Sequence, residues 1–215
     1  YSKTALKNIK DFCPGAKVIV MLRNPVEVVQ SLHQQLLHAL YEDEPDFEKA
    51  WNLQPERANG KSIPKLCRQP ELLQYGNVAK FGEQIQRLYS IFDKEQVLII
   101  QFEDFCNDTA KVYQNVLQFL ELDVDGRIVF ERINDSQMLK SGALSFIASS
   151  SPLCIRNLIT KLRYVNALVF IPNTLDKIFK TKKKREKIRL DFERKIQFYF
   201  EGDQKLLNVF YKNKS

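Results

Sequence analysis

Apolar positions along the chain change their spacing from block to block. Lys17 to Leu22 is a β-branched run without polar alternation, the pattern of a strand covered on both faces in a parallel sheet. From Pro25 the spacing becomes three and four, and Val29, Leu32, Leu36 and Leu40 form one stripe of a helix. Asn24 suits the N-cap of that helix, Pro25 its first position, and Glu27 the acid of a capping box. Val78, Phe81, Ile85, Leu88 and Phe92 predict a second amphipathic helix, Gln96 to Phe102 a second buried strand, and Val112, Val116, Phe119 and Leu120 a helix after it. Helix and strand thus alternate, which predicts an α/β fold with a mainly parallel central sheet flanked by helices.

The flanking segments are less regular. Ser2 to Phe12 reads as a short helix with Ala5, Ile9 and Phe12 on one side, closed by Pro14-Gly15. The acidic stretch Glu42 to Glu48 and the polar residues up to Pro70 read as a long irregular connection, with a short helix around Phe47 to Leu53. Loops over a rigid sheet carry selectivity, so Tyr41 to Pro70 is where substrate contacts are expected. Beyond Leu122, Ile128 to Phe130 reads as a short strand, Ser149 to Pro152 as a loop and Ile155 to Leu168 as a modest helix. Two helices are predicted to close the chain, about 185–200 and 203–211, with Ile188, Phe192, Ile196 and Tyr199 as their inward stripe. No repeat or linker divides it, so residues 1–215 are expected to form a single domain.

Composition narrows the class. With 215 residues and 44% hydrophobic, the chain can bury one sizeable core, which excludes collagen-like, coiled-coil and generally disordered chains. No apolar run approaches the roughly 18 to 20 residues of a membrane span, and no basic-then-apolar signal segment opens the chain. It starts at Tyr1 rather than Met, so a longer parent chain is expected. Cys13, Cys67, Cys106 and Cys154 contain no C-x-x-C pair, so reduced, half-buried thiols and no metal are expected. Sequons begin at Asn107, Asn134 and Asn213, a pattern too short to fix a compartment. The net charge of +7 has one location: Lys180 to Ser215 holds 12 Lys/Arg against 5 Asp/Glu, and residues 1–179 hold 21 of each sign. Such a surplus, centred on Lys182-Lys-Lys-Arg185, is either a solvated helix start or a surface that attracts anions.

The candidate chemistry begins at Arg23. In open α/β sheets ligands bind beyond the carboxyl ends of the strands, where helix N-termini offer N–H groups. A guanidinium there holds two phosphate oxygens at once and keeps its charge at any physiological pH. Ser31 follows on the stripe Glu27, Ser31, Gln34, His38, where its hydroxyl reaches toward an anion held by Arg23. The competing reading of Arg23 is an ion pair with an acid at the sheet edge. His33 and His38 are either proton acceptors or ordinary helix residues.

Lys17 to Pro25 with Ser31 eight residues after Arg23 resembles the segment with which sulfotransferases bind the 3′-phosphate of 3′-phosphoadenosine 5′-phosphosulfate. Tyr75 to Phe92, Val97-Leu-Ile-Ile-Gln-Phe-Glu-Asp-Phe105 and Phe119-Leu-Glu-Leu122 are similar to that family's next helix, strand and closing motif. Asn134 with Ser136, and Tyr199 to Leu206, resemble the C-terminal part of its carbohydrate members, and Lys140 falls near a position where relatives carry Arg. The resemblance implies a P-loop-NTPase-like three-layer fold whose first strand and phosphosulfate loop precede Tyr1, making residues 1–215 the C-terminal portion of a longer domain. It implies Arg23 and Ser31 as donor-binding residues, the phosphosulfate as donor, no metal, and a hydroxyl or amine acceptor, preferably a glycan or other hydroxylated small molecule. Phe102 stands where some members place Tyr, and no catalytic base can be carried over. Nucleic acid is not an expected partner. The compartment implied is the cytoplasm for a bacterial source, the one preferred, or the Golgi lumen for a eukaryotic one. The alternatives are a P-loop-type kinase or nucleotide-binding fragment and a non-catalytic polyanion-binding module.

Overall fold

The five residues Val18–Leu22 form β1 and the five residues Val97–Gln101 form β2, paired in parallel with Val18 opposite Val97 and Leu22 opposite Gln101. This is a computed structural model, and it describes residues 2–130, 138–139, 180–181 and 188–212. The chain divides into two compact units, one of residues 1–29, 76–131 and 189–215, the other of 30–75 and 132–188. The alternation of helices with parallel strands read from the sequence is present, and the class is α/β.

In the first unit, α1 (Ala5–Phe12) leads into β1, and α2 (Pro25–His38) begins after it. As expected, Asn24 caps α2: its carbonyl oxygen accepts from the N–H of Val28 and its side-chain oxygen from that of Val26, each at 3.0 Å. The short α5 (Tyr75–Val78) and α6 (Phe81–Tyr89) precede β2, and α7 (Phe102–Asn107) and α8 (Thr109–Leu120) follow it. The core is Leu22, Ile85, Leu88, Phe92, Val97 and Leu207, with Val18, Val20, Phe81 and Phe210 packed against it. Lys17 ties β1 to the end of α8, its ammonium donating to the Phe119 carbonyl and the Glu121 carboxylate, each at 2.7 Å.

Several expectations are corrected. β1 is not covered on both faces: Val18, Val20 and Leu22 face the core, while Ile19 and Met21 on the other face keep 41% and 48% of their surface in solvent. Ile9 and Phe12 are exposed, so α1 buries none of its residues. Phe102 starts a helix instead of ending a strand, and Ile128 to Phe130 is irregular. The two closing helices are one, α9 (Leu190–Lys212), unbroken at Gly202. A glycine inside a helix costs about 1 kcal/mol. Burial of Phe192, Ile196, Phe200 and Leu207 along one face outweighs that cost. Cys13 and Cys106 are exposed rather than half-buried, and all three described cysteines are free. The readings placed on Asn134, Ser136, Lys140, Ser149 to Pro152, Cys154, Ile155 to Leu168, Lys182 to Arg185 and Asn213 lie outside the described residues.

α9 lies against α6 and supplies its N-terminal cap. The Asp203 carboxylate accepts from the backbone N–H of Gly82 at 2.8 Å and of Glu83 at 2.9 Å, two donors that the helix itself leaves without partners. Lys80, at the N-cap position of α6, makes no side-chain capping bond, so the cap comes from 120 residues further along the chain.

In the second unit the connection after α2 is more ordered than its sequence suggests. It carries α3 (Phe47–Asn52), capped by the Asp46 side chain on Lys49 N–H at 3.0 Å, then α4 (Gln54–Ala58) and a 3-10 turn at Pro70–Leu73. A short antiparallel pair, β3 (Met138–Leu139) with β4 (Lys180–Thr181), also belongs here. Between the helices lies a buried polar cluster. Arg57 grips Glu42 with two hydrogen bonds of 2.6 Å, and Tyr75 donates its hydroxyl to the same carboxylate at 2.5 Å. The N–H groups of Asp43 and Glu44 complete the shell of Glu42, each at 2.9 Å. His33 is fully buried beside Phe47 and Tyr75, with Nε2 2.9 Å from the Glu44 carbonyl oxygen.

This cluster makes the second unit sensitive to acid. Burial lowers the pKa of His33 below its ordinary 6.5, against the pull of the Glu44 carbonyl, Glu42 and Asp46 and with the help of Arg57. Burial pushes the Glu42 carboxyl up, but the bonds from Arg57 and Tyr75 outweigh it and hold the group below its ordinary 4.5. In both cases the unfolded chain binds the proton more readily, so the stabilisation is full above the unfolded value and is lost as pH falls through the folded one. The His33 contribution therefore declines below pH 6.5 and the Glu42 contribution below pH 4.5. Urea midpoints followed by Trp51 fluorescence should fall from pH 7.5 to 5.5 and more steeply below 4.5. A midpoint flat across the upper interval would count against the buried neutral imidazole.

Candidate functional site

Because β1 and β2 run parallel and in register, Leu22 and Gln101 end level, and the residues after them share the carboxyl edge of the sheet. Arg23 stands there between the strand and the capped start of α2. Its guanidinium lies over the ring of Phe102, 4.6 Å from the centroid, and its Nε donates to Glu27 Oε2 at 2.8 Å, with Nη2 donating to the same oxygen. The ion pair expected as the competing reading is thus present, with an acid one turn along α2. Arg23 also keeps about a quarter of its side-chain surface exposed.

An open cleft of about 520 Å³ lies at this edge. Its lining comes from three places in the first unit: Leu22 to Val26 at the β1–α2 junction, Gln101 and Glu103 at the β2–α7 junction, and Gln197, Phe200, Gln204, Leu207 and Asn208 on α9. Among the described residues of the lining, Arg23 is the single cation and Glu103 the single carboxylate, while Asn24, Gln101, Gln197, Gln204 and Asn208 contribute carboxamides. Arg23 with five carboxamides, and a carboxylate at Glu103, suits a ligand that carries a localised anion on a polar body rich in hydrogen-bonding groups.

Ser31, His33 and His38, also singled out by sequence, are not among the described residues that line this cleft. Ser31 lies half-buried on α2, belongs to the second unit and is not part of the lining. His33 is enclosed in the polar cluster of that unit, which removes it as an accessible base, and His38 is half-buried near the end of α2. Sequence reasoning missed Phe102 as the surface beneath Arg23 and the polar face of α9. The Arg23–Glu27 pair was legible from its spacing of four on a helix start, although Glu27 read there as a capping acid. Among the described residues no three His, Cys, Asp or Glu side chains gather closely enough to hold a metal ion, and no helix is long and apolar enough to cross a membrane.

The family model described as sulfotransferase domain matches residues 6–145. Among solved structures, a sulfotransferase from Alicyclobacillus acidocaldarius is similar at 24% identity with a TM-score of 0.49. The alignment covers 80% of this chain and 58% of that one, so the chain spans less than two thirds of that relative's length. A search of curated proteins gives no match.

Proposed function

Since the chain belongs to the sulfotransferase domain family, which spans its residues 6–145, we propose that it binds 3′-phosphoadenosine 5′-phosphosulfate and serves transfer of the sulfuryl group to an acceptor hydroxyl or amine. A carbohydrate is the preferred acceptor, on sequence resemblance. In the reaction the acceptor oxygen or nitrogen forms a bond to sulfur in line with the departing phosphate oxygen. The sulfur–oxygen bond to the 5′-phosphate breaks, and the acceptor proton passes to a base. Adenosine 3′,5′-bisphosphate leaves. Arg23 is read as holder of the donor's 3′-phosphate, with Ser31 as its partner.

The observation that carries this reading is the place of Arg23: a charged fork at the carboxyl edge of two parallel strands, ahead of a capped helix, lining an open cleft. A 3′-phosphate is remote from the reacting sulfur, so its contact is equally strong in ground and transition states. It governs affinity and orientation more than the chemical step. Calorimetric titration with adenosine 3′,5′-bisphosphate tests the assignment. Arg23→Ala is expected to weaken binding by about 10- to 100-fold, the equivalent of roughly 1.5–3 kcal/mol for a charged hydrogen-bonded contact. Ser31→Ala is expected to weaken it by roughly threefold to tenfold, as for one neutral hydrogen bond. Equal affinity of wild type and Arg23→Ala would sink the assignment, and displacement by ATP in place of the bisphosphate would favour the kinase-like alternative.

A further inference from the structure

A guanidinium offers a side edge, made by Nε and one Nη, and an end edge made by both Nη atoms; each matches two oxygens. In Arg23 the side edge is taken. Nε and Nη2 both donate to Glu27 Oε2, and the flat face rests on Phe102 at 4.6 Å. Nη1 has no hydrogen-bond partner among the described residues. Arg23 lines the cleft, whereas Glu27 and Phe102 do not. Both partners therefore approach the guanidinium from outside the cleft.

Both are also fixed by secondary structure. Glu27 sits one turn into α2, where the Asn24 cap sets the direction of the helix. Phe102 is the first residue after β2, brought beside Arg23 by the strand register. One contact limits rotation about the axis of the side chain and the other limits tilt of the plane. We propose that Glu27 and Phe102 are positioning residues that hold Arg23 with its end edge presented to an oxyanion in the cleft. The inference deepens the bisphosphate reading and rests on it for the identity of that anion.

The role makes a distinctive demand. The negative charge of Glu27 opposes an incoming phosphate, while its acceptor oxygen orients the arginine; a glutamine keeps the acceptor and removes the charge. Positioning thus predicts that Glu27→Ala weakens binding of adenosine 3′,5′-bisphosphate by about tenfold, while Glu27→Gln binds at least as tightly as wild type, to within roughly threefold. Phe102→Leu should weaken it by about threefold to fivefold, and Phe102→Tyr, which keeps the aromatic face, should restore it. In an Arg23→Ala background neither Glu27→Ala nor Phe102→Leu should weaken binding by more than about twofold, because the residues support affinity through the arginine.

A second readout does not depend on ligand. The Arg23 side-chain Nε–Hε resonance, assigned by its loss in Arg23→Ala, should show the relaxation of an ordered group in wild type and in Glu27→Gln. In Glu27→Ala it should join the mobile arginines. Mobility of the signal in wild type, or unchanged affinity in Glu27→Ala where wild type binds, overturns the proposal. An ordered signal that Glu27→Ala releases, in a chain that binds no bisphosphate, overturns the bisphosphate reading and leaves the positioning intact.

Discussion

Arg57→Ala is expected to destabilise the second unit by about 3–5 kcal/mol, the cost of removing one partner of a buried ion pair and stranding the other. The side chains of Arg57 and Glu42 are both fully inaccessible to solvent. Arg57 gives Glu42 two hydrogen bonds and donates a third, from Nε, to the Ser62 carbonyl at 3.1 Å. Without it the carboxylate keeps only Tyr75 and two backbone amides, at a position closed to solvent. Against a total stability of about 5–15 kcal/mol for a domain, such a loss approaches unfolding. Arg57→Lys keeps a charge but loses the fork, so it should recover only part of the loss. The sole tryptophan, Trp51, is buried in this unit, so urea denaturation followed by its fluorescence reads the effect directly. A change below about 1 kcal/mol would mean that the pair is no more than a surface bridge in energetic terms.

The second large effect is expected from a single methyl group. A Cβ on Gly82 would lie 2.2 Å from the backbone carbonyl oxygen of Asp203 and 2.9 Å from its carboxylate. A backbone oxygen cannot swing aside as a side chain does, so α6 and α9 must part, with loss of the two capping bonds and of the packing that includes Ile85, Leu88 and Leu207. Overpacking of this kind costs about 1–3 kcal/mol and loss of a cap about 1 kcal/mol more. The gain in helix propensity from Gly to Ala, about 1 kcal/mol, has the opposite sign and is too small to compensate. Gly202→Ala supplies the control, because it places its methyl in open space inside α9. Thermal unfolding by circular dichroism should show a clear drop in midpoint for Gly82→Ala and an equal or higher midpoint for Gly202→Ala. A drop of the same size in both would remove the clash as the cause.

Features carried by local pattern were legible in the sequence. Both strands, the helix after each, the Asn24 cap and the short helix at Phe47 follow from periodicity and capping chemistry over a few residues. Arg23 was legible too, because a charge at the end of an apolar run is locally improbable. Contacts joining distant segments were not. Glu42 sits in a stretch dense with acids and reads as solvated surface until Arg57 and Tyr75 are brought to it, 15 and 33 residues away. The polar residues of α9 that line the cleft carry no mark that separates them from an exposed helix face, since the decision is made by what packs opposite. The unbroken passage through Gly202 likewise reflects burial on one side of α9 rather than propensity.

The cap on α6 bears on the order in which the chain can assemble. The carboxylate that completes the first turn of that helix is synthesised 120 residues after the amides it receives. As the chain emerges from a ribosome at about 5–20 residues per second, α6 waits at least several seconds for Asp203. The Glu42, Arg57 and Tyr75 cluster closes within a span of 33 residues and is available far earlier. That cluster, within residues 30–75, can therefore form while the first unit still has open amides and exposed apolar surface. That interval is when the nascent protein is most in need of a chaperone.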